Sequence, residues 1–285
     1  MRIASFNILH GQTVSSPQAH ATAHEQSPSD GPPDAAALHA AIDELAPSVV
    51  ALQEVDQNQP RSGHSHQTEA VAQALGTDEY RFVPTVVGTP GGANGFRPTT
   101  PAERGEEVSG DPRYGVALIS TLPVSAWHSK VFPPAPISLP LLVQREGKPS
   151  ILKVRDEQRA AIAAQIETSY GPVTVATAHL SFVPGFNVRQ LRQIRKWLEL
   201  FPRPLFLIGD FNLPGKIPAR VTRMAPMISE PTFPSYRPRI QCDHLLTEGL
   251  SPVGVVEVAQ SARTWFLPVS DHLAVSVDWD PSQRG

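Results

Sequence analysis

The sequence predicts an α/β protein in which two packed β-sheets carry helices on their outer faces. Short apolar runs of strand length recur along nearly the whole chain, whereas segments with helical periodicity are few. Near the start, strand and helix patterns alternate, as they do where helices pack outside sheets. The 30 prolines gather in a few stretches, which suits a sheet protein with long irregular connections. A chain of 285 residues, 40% of them hydrophobic, can bury a sizeable core and is expected to form one domain over 1–285.

The elements follow in order. Arg2 to Leu9 reads as a strand, with Ile3, Phe6 and Ile8 partly alternating. Residues 12–33, rich in Ser, Pro, His and Ala without periodicity, read as a long loop. Asp34 caps a helix over Ala35 to Ala46, with Leu38, Ile42 and Leu45 on one face and Pro47 as the stop. Val49 to Leu52 is a buried strand that delivers Gln53 and Glu54, and a short helix, Gln67 to Leu75, leads through Gly76 to a strand over Tyr80 to Val87. Residues 88–112 form a second long loop.

Tyr114 to Ser120 and Val124 to Phe132 are strands, and Arg159 to Thr168 with Val173 to Leu180 make a hairpin around Tyr170-Gly171-Pro172. Asn187 to Leu200 is helical on the face of Leu191, Ile194 and Leu198; its Arg189, Arg192, Arg195 and Lys196 read as a solvated face, with substrate contact as the other possibility. Pro204 to Ile208 is a buried strand that ends in Gly209 and presents Asp210 and Asn212, two residues apart and so on one face. Lys216 to Ile228 holds a short helix, Pro231 to Arg239 is a loop, and Ile240 to Leu246, Val253 to Val258 and Leu273 to Trp279 read as strands.

Bulk properties exclude several classes of function. A net charge of -3 with dispersed Lys and Arg gives no broad basic surface for tight nonspecific nucleic-acid binding. Cys242 is the sole cysteine, so there is no disulfide framework and no Cys-based zinc cluster; it reads as a small apolar core residue. The first residues lack the features of a signal peptide, and no stretch approaches the roughly 18 apolar residues of a membrane span. The expectation is a cytoplasmic monomer.

Asn7, Glu54, His179 and the Asp210/Asn212 pair stand at predicted strand ends, and Asp271-His272 opens the last strand. Singly, each has a bland reading as an exposed or hydrogen-bonded structural residue. Together they offer what phosphoester cleavage needs: hard oxygen ligands for a divalent cation, a base for water, and donors for charge at phosphorus. Asp243 is the candidate carboxylate for orienting His272 and raising its pKa.

Phe6-Asn7, Leu52-Gln53-Glu54-Val55, the strand from Gly115 to Leu122, Thr177-Ala178-His179-Leu180, Gly209-Asp210-Phe211-Asn212, Cys242-Asp243-His244 and Ser270-Asp271-His272 resemble, in order, the motifs of the endonuclease/exonuclease/phosphatase superfamily. The resemblance runs from residue 6 to about 279. It implies a four-layered α/β sandwich like that of deoxyribonuclease I, with the site at one edge of the sheets. It also implies that Glu54 is the main metal ligand, assisted by Asn7 and Asp271, for Mg²⁺ or alternatively Mn²⁺. His179 and Asn212 then contact the scissile phosphate, Asp210 orients or deprotonates water, and His272 with Asp243 stabilises charge or serves as base. Tyr114 and Arg159 match positions where relatives contact substrate.

The sequence leaves open which of Asp210 and His272 is the base. The stretch after Asn7 lacks the further acidic residue of abasic-site endonucleases, and Pro214-Gly215-Lys216 departs from the inositol 5-phosphatase pattern. The expected activity is phosphodiesterase or nuclease-like, on a phosphoester substrate with nucleic acid among the candidates. The alternatives are a phosphomonoesterase on a small or lipid-derived phosphate and, more remotely, a non-catalytic binding module on the same fold.

Overall fold

A computed structural model of the chain describes residues 1–14, 33–90, 95–104, 110–145 and 148–283, with side chains outside 140–153. The first sheet takes the order β14-β15-β1-β2-β5-β3-β4, where β1 is Arg2–Asn7, β2 Val49–Gln57, β3 Tyr80–Gly88, β4 Phe96–Pro98, β5 Arg113–Ser120, β14 Arg263–Trp265 and β15 Ala274–Asp278. The second takes the order β12-β13-β11-β10-β9-β6, where β6 is Val124–Phe132, β9 Arg159–Ile166, β10 Val173–His179, β11 Leu205–Asp210, β12 Ala225–Pro226 and β13 Asp243–Glu248. Each is mixed: β1 pairs with β2, and β10 with β11, in parallel, while the other pairings are antiparallel.

Strands buried on both faces read as continuous apolar runs, and β11 shows why. Phe206 and Ile208 face the core between the sheets, with Ile3, Val49, Leu118, Ile162 and Val175. Leu205 and Leu207 face the opposite way, against Leu191, Ile194 and Leu198 of helix α3, Phe186–Leu198. The first sheet is covered likewise by α1, Ala35–Leu45, whose Leu38, Ile42 and Leu45 pack on Phe6, Val50 and Leu52, and by α2, Gln67–Ala74. The result is the expected four-layered sandwich. As predicted, the Asp34 side chain caps α1 by accepting from Ala36 and Ala37 N–H.

Several expectations change. Residues 253–258 are not a strand but part of helix α5, Pro252–Gln260. Ser251 accepts from Gly254 N–H and Pro252 occupies the first turn, a helix start that outweighs the β-propensity of the valines. The helix in 216–228 is only α4, Ile217–Thr222, and the strand expected from 240 begins at Asp243. Two strands unassigned from sequence, β7, Ser138–Arg145, and β8, Lys148–Arg155, pair antiparallel. Of the two long loops, 15–32, 91–94 and 105–109 lie outside the described residues. Cys242 is half-buried beside carboxylates rather than in the apolar core, and burial together with Asp210, Asp243 and Asp271 keeps it a thiol.

Within the second sheet, β10 and β11 approach closely where β11 ends. Gly209 has φ +140°, and a Cβ there would lie 2.1 Å from the carbonyl oxygen of Ala178. Gly209→Ala is therefore expected to lower stability by more than about 2 kcal/mol in denaturant titration, by backbone strain and collision. A change under about 0.5 kcal/mol would contradict this close approach.

Candidate active site

The parallel strands β1 and β2 end side by side, as do β10 and β11, and these ends carry the polar groups. In β2 the register against β5 slips between Leu52 and Val55, and Glu54 sits at φ +60°. Such a bulge re-aims a side chain that a regular strand would send elsewhere. Asn212 takes a left-handed φ of +48°, which Asn tolerates, and its N–H returns to Asp210 Oδ1 at 2.9 Å. The turn thus fixes one oxygen of Asp210 and leaves Oδ2 facing the cleft.

Asn7 Nδ2 donates to Glu54 Oε1 and to Asp210 Oδ2, each at 3.1 Å, joining the two sheets. Its own oxygen accepts from Leu9 N–H. Asn7 thus bridges two carboxylates through its amide nitrogen. Beneath it, Ser270 Oγ donates to the Asn7 carbonyl and accepts from His272 N–H, tying the last loop to β1. His272 Nδ1 and Asp243 Oδ2 are 2.8 Å apart, and His272 Nε2 lies 3.9 Å from Asp210 Oδ2. On the other side of Asp210, His179 Nε2 stands 3.6 Å from Oδ2 and 3.3 Å from Asn212 Nδ2. Arg159 is buried, with Nη1 against the His179 ring at 3.2 Å and Glu157 at 3.4 Å.

Glu54, Arg159, His179, Asp210, Asn212 and His272 line a cleft of about 370 Å³ together with Tyr114 and Asp271, and the other two residues expected in the site, Asn7 and Asp243, touch residues that line it. Sequence reasoning missed His10, Arg61, Glu157, Phe182 and Phe233, which share the lining. No short motif marks them, because they come from loops and strand ends whose direction only the fold sets. The basic residues of α3 do not line it: Arg189, Arg192 and Lys196 are exposed and Arg195 pairs with Glu248 at 2.8 Å, so the solvated-face reading holds.

The charges are unequal partners. Burial alone would pull His272 down, but the charge and hydrogen bond of Asp243, with Asp210 and Asp271 nearby, lift it to about 10. Burial and Asp243 raise Asp210 to about 7, against the pull of His272, Asn212 N–H and the Asn7 amide. Burial, Arg159 and His272 hold His179 neutral. Burial and the charge of Glu54 lift Asp271 to about 6. Native Asp210 thus holds its proton where the unfolded chain has lost it, so its contribution to stability falls as pH rises from about 4 through about 7.

Glu54 and Asp271 line the cleft together, and as hard oxygen donors they fit a divalent cation completed by waters. Asp210, Asp243 and His272 also bring ligand-type atoms within 4.8 Å of one another. There, however, His272 and Asp243 are spent on each other, and a protonated imidazole has no lone pair for a metal.

The sequence matches the model of the Endonuclease/Exonuclease/phosphatase family over residues 4–272. The chain belongs to this family. Solved structures of similar fold include an endonuclease/exonuclease/phosphatase from Beutenbergia cavernae, with 20% identity, a TM-score of 0.56 and coverage of 97% of this chain and 70% of that one. Sphingomyelinase C from Streptomyces griseocarneus has 17% identity, a TM-score of 0.52 and coverage of 98% and 99%. A mannosyl-6-phosphatase from Bacteroides thetaiotaomicron has 14% identity, a TM-score of 0.52 and coverage of 98% of both chains. No functionally curated protein matches. Family membership supports phosphoester hydrolysis as the kind of reaction, and no described helix is long and apolar enough to cross a membrane.

The Asp243–His272 pair sets a titration. In the wild type the His272 imidazolium is expected to persist past pH 9 in histidine NMR spectra of the metal-free protein, and in Asp243→Asn to titrate at or below the ordinary value of about 6.5. The sign for stability is the same: the contribution of the pair is complete below about pH 6.5 and is lost as pH rises through about 10. An unchanged His272 titration in the variant would contradict the coupling.

Proposed function

We propose that the chain is a divalent-metal-dependent phosphodiester hydrolase in which water attacks phosphorus in line. The observation that carries this is Asp210, a buried carboxylate poised between Asn7, His179 and an imidazolium clamped by Asp243. Glu54 and Asp271 would hold a Mg²⁺ or Mn²⁺ ion, with Asn7 spacing Glu54 from Asp210. When bound, such an ion neutralises charge on the phosphate oxygens and on the leaving oxygen.

The side chains divide the remaining work. Asp210 Oδ2 accepts the proton of the attacking water, since Oδ1 is held by Asn212 N–H and a base titrating near neutrality suits this task. Neutral His179 and the Asn212 amide touch the phosphate, and Arg159 against the His179 ring holds that ring in place. His272 is already protonated, so it serves as the donor to charge on phosphorus oxygens through Nε2–H and not as the base. A water O–P bond forms as the ester P–O bond breaks, and the leaving oxygen takes a proton from solvent or from the site.

Phe182, Phe233, Pro90 and Val154 also line the cleft, and this apolar contribution favours a second reading, a compact or lipid-derived phosphate ester rather than duplex nucleic acid. Plasmid DNA, RNA, bis-p-nitrophenyl phosphate, inositol phosphates and sphingomyelin separate the readings. Turnover of monoesters alone would overturn the diesterase preference.

Asp210→Asn and His272→Ala are each expected to lower kcat on bis-p-nitrophenyl phosphate about 10³-fold while the protein stays folded by circular dichroism. Excess EDTA is expected to abolish turnover, and Mg²⁺ or Mn²⁺ to restore it. Wild-type rates in either variant, or in EDTA, would sink the mechanism. In pH profiles, kcat/KM should rise as Asp210 loses its proton and fall as His272 does, with the falling limb displaced to lower pH in Asp243→Asn.

A further inference from the structure

One wall of the cleft carries a cation that the proposed chemistry does not use. Arg61 sits in the single turn Pro60–Ser62 just after β2 and lines the cleft, its side chain 23% exposed. Its Nε and Nη2 donate to Asp56 Oδ2 and Oδ1 at 2.8 and 2.7 Å, a two-pronged clamp on one edge of the guanidinium. Asp56 itself is fully buried in β2, opposite Tyr114 of β5, and the guanidinium stands 5.7 Å from the centre of the Tyr114 ring. Carboxylate and ring together fix the plane of the group. The Nη1 edge makes no hydrogen bond among the described residues and is left for the cleft.

The neighbouring loop is built onto the same wall. Gln67 accepts from Asp56 N–H and donates to the His10 carbonyl, which holds Leu9 and His10 at φ +43° and +48°. His10 lines the cleft beside Arg61, and its Nδ1 is buried without a hydrogen-bond partner among the described residues. Burying Asp56 to hold one arginine is costly, and such pairs contribute little net stability. They do fix geometry, and a guanidinium with a free edge is a recognition group for phosphate.

We propose that Arg61, oriented by Asp56 and flanked by His10, is a subsite for a second phosphate on the substrate, separate from the one that is cleaved. The proposal rests on the phosphoester hydrolase reading above. It narrows the substrate class to organic phosphates carrying two phosphoryl groups, whether on a nucleoside or on a sugar. Arg61 is then a specificity residue and Asp56 a positioning residue.

The test uses matched pairs. Thymidine 5′-(p-nitrophenyl phosphate) with and without a 3′-phosphate is compared by kcat/KM. Thymidine 3′,5′-bisphosphate against thymidine 5′-monophosphate, and glucose 1,6-bisphosphate against glucose 6-phosphate, are titrated calorimetrically into metal-free protein. The wild type is expected to prefer the bisphosphate of at least one pair tenfold or more, the preferred pair naming nucleoside or sugar. Arg61→Gln is expected to bring that ratio close to one. The double variant Asp56→Asn with Arg61→Gln, which leaves no unpaired buried carboxylate, should do the same if the single variant misfolds. Equal binding of both members of every pair by the wild type, or a preference that survives in the variants, overturns the subsite. A binding preference without any turnover supports the subsite and counts against the hydrolase reading alone.

Discussion

Asn7 holds two carboxylates that would otherwise repel each other, one from each sheet. Its Nδ2 is shared between Glu54 and Asp210 at 3.1 Å apiece, and its carbonyl receives Ser270 Oγ, which in turn receives His272 N–H. The side-chain amide and main-chain carbonyl of this one residue therefore register the bulge of β2, the end of β11 and the last loop against one another. Beneath it, Gln53 reaches from β2 to Thr177 on β10 and to Ser5, a second buried polar link between the sheets. These groups are affordable because the surrounding strands bury apolar side chains on both faces.

The electrostatics follow from that joint. Packing the strand ends together brings carboxylates into a buried space, where burial first and neighbouring negative charge second raise the pKa of Asp210 and Asp271. Asp243 answers by clamping and charging His272, while Arg159 and burial keep His179 neutral. Two histidines a few ångströms from the same Asp210 oxygen thus take opposite protonation states. In the proposed mechanism that division gives proton acceptance to the carboxylate.

Much of this could be read in the chain because buried strands announce themselves as apolar runs and their polar ends stand out. Val49 to Leu52 pointed to Glu54, and Leu205 to Ile208 to Asp210 and Asn212. What was not legible depends on backbone direction. Nothing in Leu52-Gln53-Glu54-Val55 signals the bulge that turns Glu54 into the cleft, and nothing around Asn7 signals that its amide nitrogen bridges two carboxylates. The valines of 253–258 suggested a strand, although Ser251-Pro252 was the helix signal to weigh. Arg61 and His10 were invisible as site residues because the contacts that bring them in run through Asp56 and Gln67, one in a strand and the other in a helix.

We propose the joint between the sheets as a cation-assisted phosphoester site organised by Asn7. Anomalous diffraction from a crystal soaked in Mn²⁺ and inorganic phosphate tests it most directly. One strong peak is expected against the carboxylates of Glu54 and Asp271, with phosphate reaching His179, Asn212 and His272 Nε2. A peak seated among Asp210, Asp243 and His272, or no peak in the cleft at all, would contradict it.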